Sequence, residues 1–183
     1  MTSFKYYVGA SIDGFIADSA GETRWLEPFG GAQGALPGFQ KFFDEIGAIV
    51  IGGQTYLWLV KQLTSLERPW PYAGKPVWVF THHELPSTPG ADLTFVRGDI
   101  DLWSHDIARS AGQQDVWILG GAQLAGRFLT AGVLDELQLL TVPVVLGSGV
   151  SVFDTKTPAD FTLIDRTAHE NGVLEDRYRV AAP

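Results

Sequence analysis

Residues 116–124 read VWILGGAQL, and residues 49–55 read IVIGGQT. Each opens as a short unbroken apolar run, the pattern of a strand covered on both faces in a parallel sheet. The runs stop at glycine pairs, Gly52-Gly53 and Gly120-Gly121, and a helical pattern follows each at once. Thr55 opens a helix carrying Tyr56, Leu59, Val60 and Leu63, while Leu124, Phe128 and Leu129 give the other helix its apolar face. A parallel strand delivers the chain to the carboxyl edge of its sheet, where ligands bind in open α/β folds. There a bare glycine lets a ligand approach the backbone. The next helix offers free N–H groups and its positive dipole end to a phosphate. Two such corners on one edge could hold the two ends of a dinucleotide.

Outward from these runs, strands alternate with helices for two thirds of the chain. Phe4–Ser11 (FKYYVGAS) is aromatic and β-branched enough for a strand, and Asp13-Gly14 turns the chain after it. Ala17 to Gly34 reads as a long irregular loop around Arg24-Trp25-Leu26. Pro37 suits the first turn of a helix whose apolar face is Phe39, Phe42, Phe43 and Ile46. Pro76–Thr81 and Leu93–Val96 read as strands, and Asp99 as the cap of a helix carrying Ile100, Trp103, Ile107 and Ala111. After residue 133 the pattern changes to strands alone. Glu136–Val145 is a long one, with Pro143 hinting at a bulge or an edge. Phe161–Ala168 and Val173–Val180 flank His169-Glu170-Asn171-Gly172, and Asn-Gly between alternating runs signals a hairpin. The expected fold is α/β, a mostly parallel central sheet flanked by helices with a C-terminal antiparallel hairpin. It fills one domain over residues 1–183.

Composition narrows the chemistry. The chain has no cysteine, which excludes a disulfide framework, a thiolate zinc site, an iron–sulfur cluster and a cysteine nucleophile. A net charge of −8 makes nucleic acid and anionic membranes poor partners. No stretch approaches the roughly 18 apolar residues of a membrane span. Met1 to Phe4 runs into the first strand without signal-peptide architecture, so a soluble cytoplasmic protein is expected. The sequence has no P-loop and no H-E-x-x-H motif, and Gly147-Ser148-Gly149 reads as a bend between strands. His82-His83 are adjacent on an extended segment, where side chains point apart, so no metal site is expected. At the carboxyl edge, however, Thr81 and His82 could meet the adenosine end of a cofactor. Asp13 and Glu22 are candidate proton sources for hydride transfer to a C=N or C=O centre. Asp13 has a second reading as a turn residue bonding local backbone. Trp25 could stack on a nicotinamide or another heterocycle.

Several stretches resemble the riboflavin-biosynthesis reductase domain, the C-terminal half of a bifunctional deaminase–reductase and a relative of dihydrofolate reductase. They are Ser11–Ala17 (SIDGFIA), Gly21–Leu26 (GETRWL), Ile49–Tyr56 (IVIGGQTY), Val116–Leu124, Phe128-Leu129, Gly132–Leu137 and Val142–Phe153 (VPVVLGSGVSVF). The resemblance implies a dihydrofolate-reductase-like fold, NADPH as hydride donor, a small heterocyclic substrate and a homodimer formed through the C-terminal strands. The activity it implies is reduction of 5-amino-6-(5-phosphoribosylamino)uracil. It places Trp25, Thr55, Thr81 and Gly120, Gly121, Ala122, Gln123 and Leu124 around the cofactor, with Gly52 and Gly53 near its phosphates. The chain departs from the family in three places. Leu119 stands where a substrate-touching glutamate often precedes the glycine turn, and Gly53 where dihydrofolate reductases carry arginine. Leu36-Pro37-Gly38-Phe39 holds no acid. The zinc-binding deaminase half is absent. Rival readings are a reductase of another small heterocycle or carbonyl compound, a nucleotide-binding protein without turnover, and a flavin-binding partner. Arg97 is a candidate for the 2′-phosphate by position.

Overall fold

The apolar runs pair into one large sheet in a computed structural model that describes residues 2–31 and 36–181. In chain order the elements are β1 (Phe4–Ser11), β2 (Phe15–Ala17), α1 (Phe39–Asp44), β3 (Ile46–Gly52), α2 (Gly53–Ser65), β4 (Pro76–Phe80) and β5 (Asp92–Val96). Then come α3 (Ser104–Ser110), β6 (Asp115–Gly120), α4 (Ala122–Thr130), β7 (Glu136–Val142), β8 (Val150–Ser151), β9 (Phe161–Ala168) and β10 (Leu174–Val180). Short 3₁₀ turns occupy Arg24–Phe29 and Ile100–Leu102. The sheet has eight strands in the order β5-β4-β3-β6-β1-β7-β10-β9. All neighbours from β5 through β7 are parallel, and β10 and β9 close the sheet antiparallel.

Alternation along each strand feeds two cores. Ile49, Ile51, Val77, Val79 and Trp117 pack on one face under α1 and α2, with Phe42 and Tyr56 from those helices. Ala48, Val50, Phe80, Val116 and Ile118 pack on the other, under α3 and α4, with Ile107 and Phe128. Both faces of β3, β4 and β6 are covered by helices, so these strands carry no polar alternation in sequence.

Local departures from the sequence expectation have local causes. Ile46 does not belong to α1. It begins β3, fully buried in the α1-side core, which it reaches as well from a strand as from a helix. The helix expected from Thr55 begins at Gly53. Asp99 sits at a cap position but its side chain makes no cap bond, and the expected helix is split there into a 3₁₀ turn and α3. The Trp103 indole closes that break by donating to the Arg97 carbonyl at 2.7 Å. Pro143 is neither bulge nor edge. β7 ends at Val142, inside the sheet, so the proline lies just where no ladder bond is required. Register irregularities fall elsewhere: in the hairpin between Arg177 and Tyr178, along β3 in its pairing with β6, and in the β2–β8 pair. The hairpin's second strand begins at Leu174, leaving Val173 fully buried in the turn. The long loop contains the 3₁₀ turn at Arg24–Phe29, and its far end at residues 32–35 lies outside the described residues. β2 pairs with β8 across a separation that no local pattern announces.

Phe128 is fully buried against the rings of Phe4 and Phe80, at centroid distances of 5.6 and 6.0 Å. Truncation to alanine leaves a cavity in the α4-side core. Phe128→Ala is expected to lower unfolding free energy by about 3–5 kcal/mol in urea titration. A change under about 1 kcal/mol would contradict this packing.

Candidate functional site

The two glycine corners lie side by side. β3 and β6 are adjacent, with Ile51 opposite Gly120. A Cβ built on Gly52 would stand 3.6 Å from the Gly120 carbonyl oxygen and 3.8 Å from the Gly121 nitrogen. One built on Gly121 would stand 3.1 Å from Thr55 Oγ1, and one on Gly53 would stand 3.0 Å from Thr81 Cβ. Gly120 takes φ +122°, which glycine alone adopts easily, and its peptide bond to Gly121 is cis. Gly52 and Gly121 cap α2 and α4 in extended conformation, and neither helix start has a side-chain cap bond. The first-turn N–H groups of two neighbouring helices are therefore left without side-chain acceptors. Each helix end favours an anion by about 0.5–2 kcal/mol, so the pair suits a group with two negative charges.

The other residues expected at this edge contribute unequally. Ala122 and Leu124 are buried in the core and offer a ligand only their main chain. Gln123 is exposed and lines a groove of about 490 Å³ with Arg127, Asp99, Asp154 and Lys156. Arg127 is held there by its bond to the Gly98 carbonyl and by the Phe80 ring, 5.5 Å from its guanidinium carbon. Thr81 closes a turn on His83, accepting from its amide at 3.0 Å and donating to its carbonyl at 3.2 Å. His82 is exposed beside it. Thr81, His83, Glu84, Phe95 and Arg97 line a second groove of about 390 Å³.

On the α1 side of β1 the surface is covered. A Cβ on Gly9 would fall 2.8 Å from Leu36 Cδ1 and 3.3 Å from Leu26 Cδ2, so both leucines lean over its bare α-carbon. Trp25, beside Leu26, is half-buried, and its indole N–H is buried with no acceptor among the described residues.

The two candidate acids differ. Asp13 accepts from Ser11 Oγ at 2.6 Å and from the amides of Leu146 and Gly147 at 3.1 and 2.7 Å. Its pKa is lowered to about 2, chiefly by the Ser11 hydroxyl, against some desolvation, and then by the two amides. It ties the exit of β1 to the loop after β7. Glu22 closes a tight turn through its backbone, donating to Asp18 Oδ1 at 2.9 Å. Its carboxylate has no hydrogen-bond partner among the described residues.

Sequence reasoning missed a polar group on the same face. Glu175 accepts from the Gln138 amide and meets His169 Nε2 at 2.8 Å, and its carboxylate lies against Gly38. The signal was present: with period two, Gln138 and Glu175 share the face of Leu140 and Val142. Among the described residues, no cluster of three His, Asp or Glu side chains could hold a metal ion. None of the described helices is long and apolar enough to cross a membrane.

Comparison with known proteins agrees with this architecture. A family model described as the RibD C-terminal domain matches residues 70–174. YwjB of Bacillus subtilis, an uncharacterized protein, is 32% identical over 151 residues, covering 82% of each chain. The crystal structure of a putative riboflavin biosynthesis protein from Shewanella sp. PV-4 superposes with a TM-score of 0.81 at 23% identity, covering 99% of this chain and 100% of that one. A dihydrofolate reductase from Enterococcus faecalis, complexed with NADP(H), gives a TM-score of 0.55 at 14% identity, covering 98% of this chain and 97% of that one.

Because the Asp13 pKa falls from 3.8 to about 2 on folding, its contribution to stability is complete above about pH 4 and fades as pH drops toward 2. Asp13→Asn is expected to lower the urea midpoint at pH 7, with the gap to wild type closing over that window. A gap independent of pH would contradict the assignment.

Proposed function

Because the chain belongs to the RibD C-terminal domain family, we propose that it is an NADPH-dependent reductase of a small heterocyclic substrate, resembling 5-amino-6-(5-phosphoribosylamino)uracil reductase. The observation that carries this reading is the pair of uncapped helix starts at adjacent glycine corners. The residues fit the cofactor. A side chain at Gly52 would enter the space between the corners, and helix-start N–H groups without side-chain acceptors suit a pyrophosphate.

In this reading Gly52, Gly53 and Thr55 hold one side of the pyrophosphate, and the main chain of Gly120, Gly121, Ala122, Gln123 and Leu124 holds the other. Thr81 and His82 lie toward the adenosine end. Arg97, exposed in the groove beside them, offers a cation to a 2′-phosphate. NADPH, when bound, supplies the hydride, and the protein supplies position and electrostatics. Trp25 forms the wall of the substrate side, and its unmet indole N–H is a donor for whatever polar group settles there. Of the two proposed acids, Glu22, whose carboxylate has no hydrogen-bond partner among the described residues, is the proposed relay to the reduced centre. Asp13, held ionised by three donors, is a weak proton source at neutral pH and shapes the rim instead.

A second reading has one observation behind it. Leu119 precedes the glycine turn and packs half-buried in the α1-side core, so no carboxylate is offered there to a ribosyl-uracil substrate. This favours a different heterocycle or a small carbonyl compound, reduced in the same way. We further read the protein as a cytoplasmic homodimer. The eight-residue edge strand β9 exposes Leu163 and Ile164, a feature that pairing with a second copy would cover.

The test begins with tryptophan fluorescence against NADPH, followed by NADPH oxidation with a panel of heterocyclic and carbonyl substrates. Saturable binding is expected, with turnover on at least one compound. Failure to bind either nicotinamide cofactor would sink the reading. Gly52→Ala is expected to weaken NADPH severalfold. Its unfolding midpoint should change little, because φ is −77° and the nearest atom to a Cβ is 3.6 Å away. Undiminished affinity would show that the ligand does not use the corner.

A further inference from the structure

Glu175 lies in a row that crosses the sheet. Gly9 of β1 is paired with Leu140 of β7, and Leu140 with Glu175 of β10. At about 4.8 Å per strand, Glu175 stands roughly 10 Å from Gly9 along that row, on the same face. Its side chain is 13% exposed. Oε1 accepts from the Gln138 amide, and Oε2 meets His169 Nε2 at 2.8 Å. The carboxylate ends against main chain, since a Cβ on Gly38 would fall 2.8 Å from Oε2 and 3.3 Å from Oε1. Tyr7 closes the wall. Burial pushes its phenol pKa up and the Glu175 charge adds to the shift, while its hydroxyl donates to the Pro37 carbonyl at 3.2 Å.

A neighbour on the same face shows what a purely structural acid looks like here. Glu136, further down β7, is paired with Arg177 through two bonds of 3.1 and 3.3 Å. Glu175 has no such permanent cation within reach among the described residues, only a neutral amide and an imidazole. A carboxylate has about four acceptor sites, and this one uses two. The rest have no partner among the described residues. Acids this buried are normally fully bonded.

Resting on the reductase reading for its substrate class, we propose that the Glu175 carboxylate anchors the N–H donors of the substrate ring. Gln138 and His169 orient it. The ring enters over Gly9 by displacing the ends of Leu26 and Leu36, so that its donor edge meets the acid. The main chain at Gly38 limits how far the ring can pass.

The probe for this anchor is 2-aminopyridine, whose conjugate acid presents two parallel N–H donors to one carboxylate. Calorimetric titration compares wild type with Glu175→Gln, which keeps the side-chain size and can bond both Gln138 and His169. The expected result is saturable binding to wild type and at least tenfold weaker binding to the variant, with NADPH affinities within twofold of each other. In wild type, the His169 ring proton resonances should move as the probe saturates. Equal affinity in the two proteins, absence of binding to wild type, or unmoved His169 signals would overturn the anchor. Probe binding without any NADPH binding would leave the anchor standing and remove the reductase reading.

Discussion

Parallel pairing of β3 with β6 sets the geometry of the whole carboxyl edge. The two strands end level, with Ile51 opposite Gly120, so the helices that follow must start side by side. A side chain at Gly52 would enter the gap between them, one at Gly121 would press on Thr55 and one at Gly53 on Thr81, and the chain places glycine at all four positions. Without capping side chains, the helix starts have no side-chain acceptors for their donors, and two dipole ends lie side by side at one edge of the sheet. This local field opposes a molecule whose net charge is −8. On the proposed reading, an anionic ligand is drawn by the corners rather than by the surface.

The opposite end of the same face works through a different balance. Leu26 and Leu36 cover Gly9, Trp25 brings an unmet donor beside them, and Glu175 brings a carboxylate without a fixed cation. The hairpin turn carrying His169 also touches the 3₁₀ turn, through an Asn171 amide that reaches the Phe29 carbonyl at 3.4 Å. Contacts near the proposed substrate side thus come from segments far apart in sequence. Asp13 belongs to this framework as a strut. Its bonds to Leu146 and Gly147 hold the loop after β7 against the exit of β1.

What the sequence disclosed follows from the range of the interactions involved. The glycine corners were legible because strand, turn and helix start are consecutive residues, and their juxtaposition follows once the strands are parallel neighbours. The hairpin was legible from Asn171-Gly172. Ile46 was misplaced because periodicity records that a residue is buried, not which element carries it. The β2–β8 pair and the Glu175–Gln138–His169 cluster escaped because each joins distant segments with no shared local pattern. The covering of Gly9 by Leu26 and Leu36 escaped for the same reason. Resemblance to a family supplied the cofactor and substrate class, which no spacing of residues could name.

The central claim is that both helix starts grip one ligand. Backbone amide spectra of the isotopically labelled protein, recorded through a titration with NADPH, test it most directly. The account predicts that the amides of Gly53, Gln54, Ala122 and Gln123 shift together along one saturation curve. Shifts confined to one corner, or to residues away from both, would contradict it.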